Sequence, residues 1–326
     1  MGVSSRVVVS ALIALQAIVH GAGPAWSATK VSFGQVSPTA TIWPGVVATK
    51  KGFFAANGVE LDTVSIGVSP GMQAVASSSL NIMHNTCNAV ISFIESGGGG
   101  VHLSLVSMGV HPGVVIGRKG LKSPAELKGK VVGTSSVKSG STILLRRVLK
   151  AHGLDPATYD VVAGQGSAQI FSGLQAGAFD AVWLVPPQSL VAQAAGFPVI
   201  GTFKEAAPKF PFVCFATNDA WLKSNTAVAQ GFAKAWLAGV AWLYEPANRA
   251  EAEALLAEAL KLSPEIAAAT YDELILKSKD TFPRDGKVDP DVLRGMIDVM
   301  VEGEELPAKP KGDVTRYLDD TMLHGR

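Results

Sequence analysis

The sequence predicts an α/β chain of two doubly wound lobes, joined by a hinge that the chain crosses twice, with a C-terminal helical extension on lobe one. Three observations carry this. Short β-rich runs alternate with helical runs of roughly 10–15 residues, the pattern of parallel sheets covered on both faces by helices. The alternation comes in two series, separated by the connector "GLKSPAELKGK". A last strand-like run, "FPFVCFATN", follows the second series and is placed to return the chain to the first lobe. Lobe one is then expected over residues 28–118 and 211–326, and lobe two over 119–210, with crossings near Arg118 and Phe210.

The elements follow in order. "KVSFGQV" alternates and is rich in β-formers, so it reads as a strand. After the polar turn "SPTATIWPG", Pro44 suits a first helical turn. That helix is expected to run through "VVATKKGFFAAN" and stop at Gly58. "VELDTVSI" is a strand, "MQAVASSS" a short helix, "LNIMH" a strand and "NAVISFIES" a helix ended by the glycines at 97–100. "VHLSLVSM" and "GVVIGRK" complete the strands of the first series. In the second series "VVGTSS", "YDVVAG", "FDAVWLV" and "FPVIGTF" are strands. The helices between them are "GSTILLRRVLKAHG", "SAQIFSGLQAG" and "PQSLVAQAAG". From Asp219 onward the chain reads as almost wholly helical, with Trp and Leu at three- and four-residue spacing.

Composition agrees with a large core. The chain has 326 residues, 48% hydrophobic and 17% charged, which excludes disorder. The net charge is +1 with scattered cations, which argues against a nucleic-acid partner. At the N-terminus Arg6 precedes an apolar run over residues 7–19, and "AWSA" ends at Ala28 in a small-x-small pattern. This is the layout of a secretory signal peptide spanning 1–27 and cleaved near Ala28, so a periplasmic protein is expected. The run of about 13 residues falls short of the ~20 that span a bilayer. In an oxidising compartment the two cysteines, Cys87 and Cys214, are either one disulfide or two buried thiols, and sequence leaves both open.

In open α/β sheets a ligand lies beyond the carboxyl ends of the strands, against the N-termini of the following helices. Six such turns are legible: "SPTATIW", "GVSPGM" and "HNTCN" in lobe one, "GTSSVKSGST", "GQGSAQ" and "VPPQS" in lobe two. They are polar and nearly uncharged. Any one hydroxyl is explained by helix capping alone; six such turns facing one another point to a cleft. None contains Arg, whose bidentate fork usually holds a strong anion, and Lys138 is the single cation. A small guest is expected to lie against Trp43, Met72, Pro186 and Phe212. A sulfonate, a carboxylate or a neutral heteroaromatic suits that description, with no metal and no cofactor. The six histidines show no metal-ligand spacing.

Three motifs carry a family likeness. "VATKKGFFAANGVELDTV" is similar to the "A-x-x-x-G-F-F-x-x-x-G-L-x-V" opening of periplasmic solute-binding proteins of the aliphatic-sulfonate and thiamine-precursor type. "SPAELKGKVVGTSS" resembles that family's "D-L-K-G-K-x-V-G", and "GLQAGAFDAVWLVPP" its "A-L-x-x-G-x-V-D-A". The resemblance implies a type II periplasmic binding fold, monomeric and hinged, that captures a small molecule and hands it to the permease of an ABC importer. It implies binding positions at Ser37, Thr39, Ser69, Gly71, Asn85, Thr86, Ser136, Ser139, Thr142 and Pro186. The sequence departs from the family where "LNIMHNT" replaces the usual "A-D-I-G", which alters the floor of the cleft. The same fold also resembles a sulfinate-cleaving hydrolase with a cysteine nucleophile. Here His84 and Cys87 lie three residues apart, and His111 follows the fourth strand. A thiolate beside an imidazole would be a reasonable nucleophile.

Overall fold

The computed structural model describes residues 28–324 except Ser37, Lys138, Gln165, Lys309 and Lys311. The signal peptide expected over 1–27 lies outside the described residues. Strands and helices alternate from the start: β1 (Thr29–Gln35), α1 (Trp43–Lys50), α2 (Phe53–Ala56), β2 (Val59–Ser65), α3 (Val68–Ala76), β3 (Ile82–Thr86), α4 (Cys87–Glu95) and β4 (Val101–Met108). The second series is β5 (Val114–Gly117), β6 (Val131–Thr134), α5 (Gly140–Ala151), β7 (Asp160–Ala163), α6 (Gly166–Gln175), β8 (Ala181–Leu184), α7 (Gln188–Ala194), β9 (Val199–Thr202) and α8 (Phe203–Ala206). β10 (Val213–Asn218) follows, then α9 (Asp219–Ser224), α10 (Thr226–Leu243), α11 (Arg249–Leu260), α12 (Pro264–Tyr271), α13 (Pro290–Glu302) and α14 (Thr321–His324).

Two five-stranded sheets result, ordered β2-β1-β3-β10-β4 and β7-β6-β8-β5-β9. β1 runs parallel to β2 and β3, and β6 parallel to β7 and β8. The sheets are mixed, not parallel throughout. β10 is antiparallel to β3 and β4, and β5 to β8 and β9. The reason is topological. β5 and β10 are the strands by which the chain enters one lobe from the other. They begin at the shared edge where the parallel strands end.

This corrects one boundary. The strand at 114–117 belongs to the second sheet, so the first crossing falls between Met108 and Val114, not near Arg118. Arg118 lies within lobe two, paired with Asp180 at 2.9 Å. The second crossing, between β9 and β10, does include Phe210. Two helices are also shorter than expected. Gly52, at φ +73, breaks the first into α1 and α2, because a left-handed residue ends the helical ladder there. Asn225 likewise separates α9 from α10.

The helical tail covers lobe one. α10 crosses α1 so closely that a Cβ on Gly239 would stand 2.3 Å from the Pro44 carbonyl oxygen. Only glycine permits that approach. Trp43 is wholly buried beneath the tail and donates its indole N–H to the Ala252 carbonyl at 3.1 Å. The tail also reaches lobe two: α13 packs on α5, and α12 on α7. The outer face of the second sheet has its own apolar cluster of Ile116, Ile170, Leu174, Val182 and Leu184.

Candidate functional site

The shared edge of the two sheets is a seam built from three sources: α4 of lobe one, α5 of lobe two and the two crossings. At the crossings the ring of His111 lies on Phe212 with centroids 3.9 Å apart, and meets Phe203 at 4.8 Å and Trp183 at 5.7 Å. The Gly113 N–H donates to His111 Nδ1 at 3.1 Å. Nδ1 is therefore an acceptor and the proton sits on Nε2, which donates to the Ser141 hydroxyl of α5 at 2.8 Å. Burial among aromatic rings pushes the His111 pKa down to about 3, so the ring is neutral at neutral pH.

The first turn of α5 faces the first turn of α4. Gly140 has so little room that a Cβ there would stand 3.2 Å from Phe210 Cζ and 3.3 Å from Asn88 Cγ. Asn88 in turn donates its amide N–H to Glu305 Oε1 at 2.6 Å, and the Ser92 hydroxyl donates to the same oxygen at 3.3 Å. The turn after α13 thus holds α4 through Glu305 and meets α5 at Gly303, where a Cβ would stand 2.0 Å from Ile143. A cavity of about 350 Å³ adjoins it, lined by Ser69 and Met72 of α3, Ala89, Ser92 and Phe93 of α4, and Glu304 and Glu305.

The expected binding residues distribute unevenly over this geometry. Ser69 and Met72 line the cavity, and Phe212 forms part of the aromatic floor. Asn85 and Thr86 end β3 directly before α4. Asn85 is buried, with Oδ1 accepting from the Thr86 N–H at 2.8 Å and Nδ2 lacking a partner. Ser136, Ser139 and Thr142 come together, but toward each other. The Thr142 hydroxyl donates to the Ser136 carbonyl and meets Thr134, and Ser139 accepts from the Thr142 N–H at 3.3 Å as the cap of α5. Thr134 also accepts the indole N–H of Trp183 at 3.0 Å. Ser139 and Thr142 are therefore tied up at the head of α5, while Ser136 lends its carbonyl and is exposed, and what the stretch places at the seam is the backbone of Gly140.

Other expected contacts point away. Trp43 is in the core, not on the cleft wall. Gly71 packs against Met83, where a Cβ would come within 2.8 Å of the thioether. Thr39 caps the short turn Ala40–Ile42, and its hydroxyl meets that of Thr41 at 2.8 Å. Pro186 is buried just before α7. Ser37 and Lys138 lie outside the described residues. Sequence reasoning missed Asn88, Gly140, Ser141 and Glu305. The first three were legible as helix-opening residues; nothing marked Glu305.

The cysteine lacks the neighbours that activation needs. His84 Nε2 is bonded to Ser107 at 2.7 Å, and its ring packs on Phe215 and Trp236 inside lobe one. His111 is committed to Ser141. Cys87 and Cys214 are buried free thiols. Burial first, and the hydrogen bond that the Cys214 thiol makes to Cys87 second, push the Cys214 thiol well above its usual range. Among the described residues no group of three or more His, Cys, Asp or Glu is arranged to hold a metal. No helix among them is long and apolar enough to cross a membrane.

No curated protein sequence matches the chain. Among solved structures, the ligand binding component of an ABC-type import system from Staphylococcus aureus is similar, with a TM-score of 0.73 at 13% identity, covering 90% of this chain and 97% of that one. The periplasmic aliphatic sulphonate binding protein SsuA of Escherichia coli gives 0.70 at 18% identity, over 86% and 89% of the two chains. A DSZB mutant in complex with biphenyl-2-sulfinic acid gives 0.62 at 14% identity, over 86% and 94%. At such identities the likeness establishes the two-lobed fold. The NMT1/THI5-like family profile matches residues 39–250, well over half of the 326. The chain belongs to the NMT1/THI5-like family.

Proposed function

We propose that this protein is an extracytoplasmic solute-binding receptor, exported to the periplasm, that encloses a small organic molecule between its lobes and delivers it to the permease of an ABC importer. The carrying observation is the seam. Both sheets end on it, two helices open onto it, and just two short crossings, each starting at Met108 or Thr202, connect the halves. Such a layout closes around a guest by hinge motion. The similar structures from Staphylococcus aureus and Escherichia coli support the reading. Ser69, Met72, Asn85, Thr86 and Phe212 are the expected contacts, joined by Asn88, Gly140 and Ser141. Sulfonates, aromatic acids and pyrimidine-like bases are the compounds to test, on a monomeric receptor.

A guest that binds only the folded state raises stability by mass action, by about 2.7 kcal/mol at a hundredfold excess over Kd. Thermal-shift screening of the three compound classes is therefore expected to return at least one that raises Tm by several degrees. A library of such compounds that leaves Tm unmoved throughout contradicts the receptor reading.

A further inference from the structure

The C-terminal tail reaches across the seam from a footing on lobe one. Before α13 it is tied to β4, where the Val106 N–H donates to the Gly286 carbonyl at 2.8 Å. After α13 it returns to the same strand. Leu318 bridges to Leu103, and the Asp319 N–H donates to the Leu103 carbonyl at 3.0 Å. The Tyr317 hydroxyl donates to Glu95 of α4 at 2.8 Å. Between these moorings α13 packs on α4 of lobe one and on α5 of lobe two.

The contact with lobe two is made at the end of α13. Arg147 of α5 is ion-paired with Glu302, its Nε donating at 3.0 Å. The next residue, Gly303, lies directly on Ile143 of α5, whose side chain a Cβ would overlap. Gly303 has φ −94 and ψ 10, a conformation open to residues with side chains. Closeness to lobe two therefore requires the glycine, and the turn itself does not. Then the chain reverses. Glu304 takes a left-handed backbone at φ +58, and Glu305 accepts from Asn88 and Ser92 of α4. Conformations of this kind persist only where their surroundings fix them. Four residues thus grip lobe two with Glu302 and Gly303, and lobe one with Glu305.

Opening the lobes must break one of these grips. The tail is moored to lobe one on both sides of α13, so the face that parts is the one on α5. That face holds an ion pair open to solvent, which contributes little alone, and one close apolar contact. It can part with every element intact.

We propose that residues 302–305 are a latch that grips α5 and keeps a fraction of the guest-free protein closed. A guest's apparent affinity scales with the fraction already in the competent arrangement, so the latch sets how much closing the guest must drive. This rests on the hinge motion of the receptor reading above.

The test uses the protein without any guest. β2 and β7 are the sheet edges on the side away from β10, β5 and β9. Nitroxide labels on Glu60→Cys and Asp160→Cys, both exposed, therefore report the separation of the lobes by pulsed dipolar spectroscopy. Cys87 and Cys214 are buried and take no label. The labelled protein is expected to show a short distance matching the closed arrangement beside a longer one. Gly303→Val is expected to cut the ratio of short to long at least fivefold. Arg147→Glu, which sets two like charges together, is expected to lower it too, and the swap of Arg147→Glu with Glu302→Arg to restore it. Solvent reaches both members of the ion pair, so these variants read the latch even if the valine variant melts early. Absence of the short distance in the protein without these latch substitutions overturns the proposal. So does a distribution that neither Gly303→Val nor Arg147→Glu changes, or a loss in Arg147→Glu that the swap leaves in place. The receptor reading is judged separately, by whether any screened compound stabilises the protein.

Discussion

Lowering the pH from 7 to 5 is expected to remove up to about 4 kcal/mol of folding stability through two histidines. His84 and His111 are fully enclosed, and desolvation holds the pKa of each near 3 in the folded state. In the unfolded chain a histidine titrates near 6.5. The folded protein therefore stays neutral at both positions while the unfolded chain takes up protons below pH 6.5. Acidification favours the state that binds more protons. The contribution of these histidines is complete above pH 6.5 and is lost progressively down to about pH 3. At pH 5 the unfolded pKa lies 1.5 units above ambient, worth about 2 kcal/mol per histidine and about 4 for the pair. Glu305 works the other way, because its carboxyl is raised on folding. The exposed carboxylates with lowered pKa, Glu205, Glu265 and Asp313, lose their contribution mainly below the pH 7 to 5 interval compared here. Urea unfolding at the two pH values measures the loss. In His84→Gln or His111→Gln the pH dependence, as distinct from the absolute stability, should fall by about half. A wild-type profile that is flat between pH 7 and 5 contradicts the burial of these rings.

Gly140→Val is expected to weaken ligand binding by up to about a hundredfold while each lobe remains folded. Gly140 is the first residue of α5 and sits between Asn88 of α4 and Phe210 of the second crossing. A bare Cβ is already tight against both, and the two methyls of valine need room that the closed seam lacks. Overpacking of this kind costs about 1–3 kcal/mol. Because both neighbours lie outside α5 and lobe two, the cost falls on the closed arrangement. At tenfold per 1.4 kcal/mol, affinity drops by roughly 5- to 150-fold. Gly140→Ala should fall between wild type and valine. Calorimetry with the compound that raises Tm most reads the effect. Undiminished affinity in the valine variant would show that α4 and α5 do not close on one another around the guest.

Much of this fold is legible in the sequence, because a strand declares itself by local composition and a helix by its period. β10 was placed correctly in the first lobe, since it follows a complete second series. β5 was not: "GVVIGRK" reads as a strand, but its pairing with β8 and β9 is decided by residues 60 to 90 positions away. The site was less legible. Eight Ser, Thr and Gly residues in "VVGTSSVKSGST" mark a helix start correctly, yet cannot say whether the hydroxyls face a guest or each other. Trp43 looked like a cleft wall because Trp-Pro opens a helix. Its burial depends on Ala252, 209 residues later. Glu305 was invisible for a related reason. In "EGEEL" it is one acid among three, and only the packing of α13 on α4 and α5 selects it.

The central claim is that two lobes close around a small molecule at the seam. Small-angle scattering of the protein, free and saturated with the compound that stabilises it most, tests this directly. The radius of gyration should shrink on binding, and the saturated curve should match the arrangement in which His111 meets Ser141 and Gly140 meets Asn88. Identical curves for the free and saturated protein would contradict the claim.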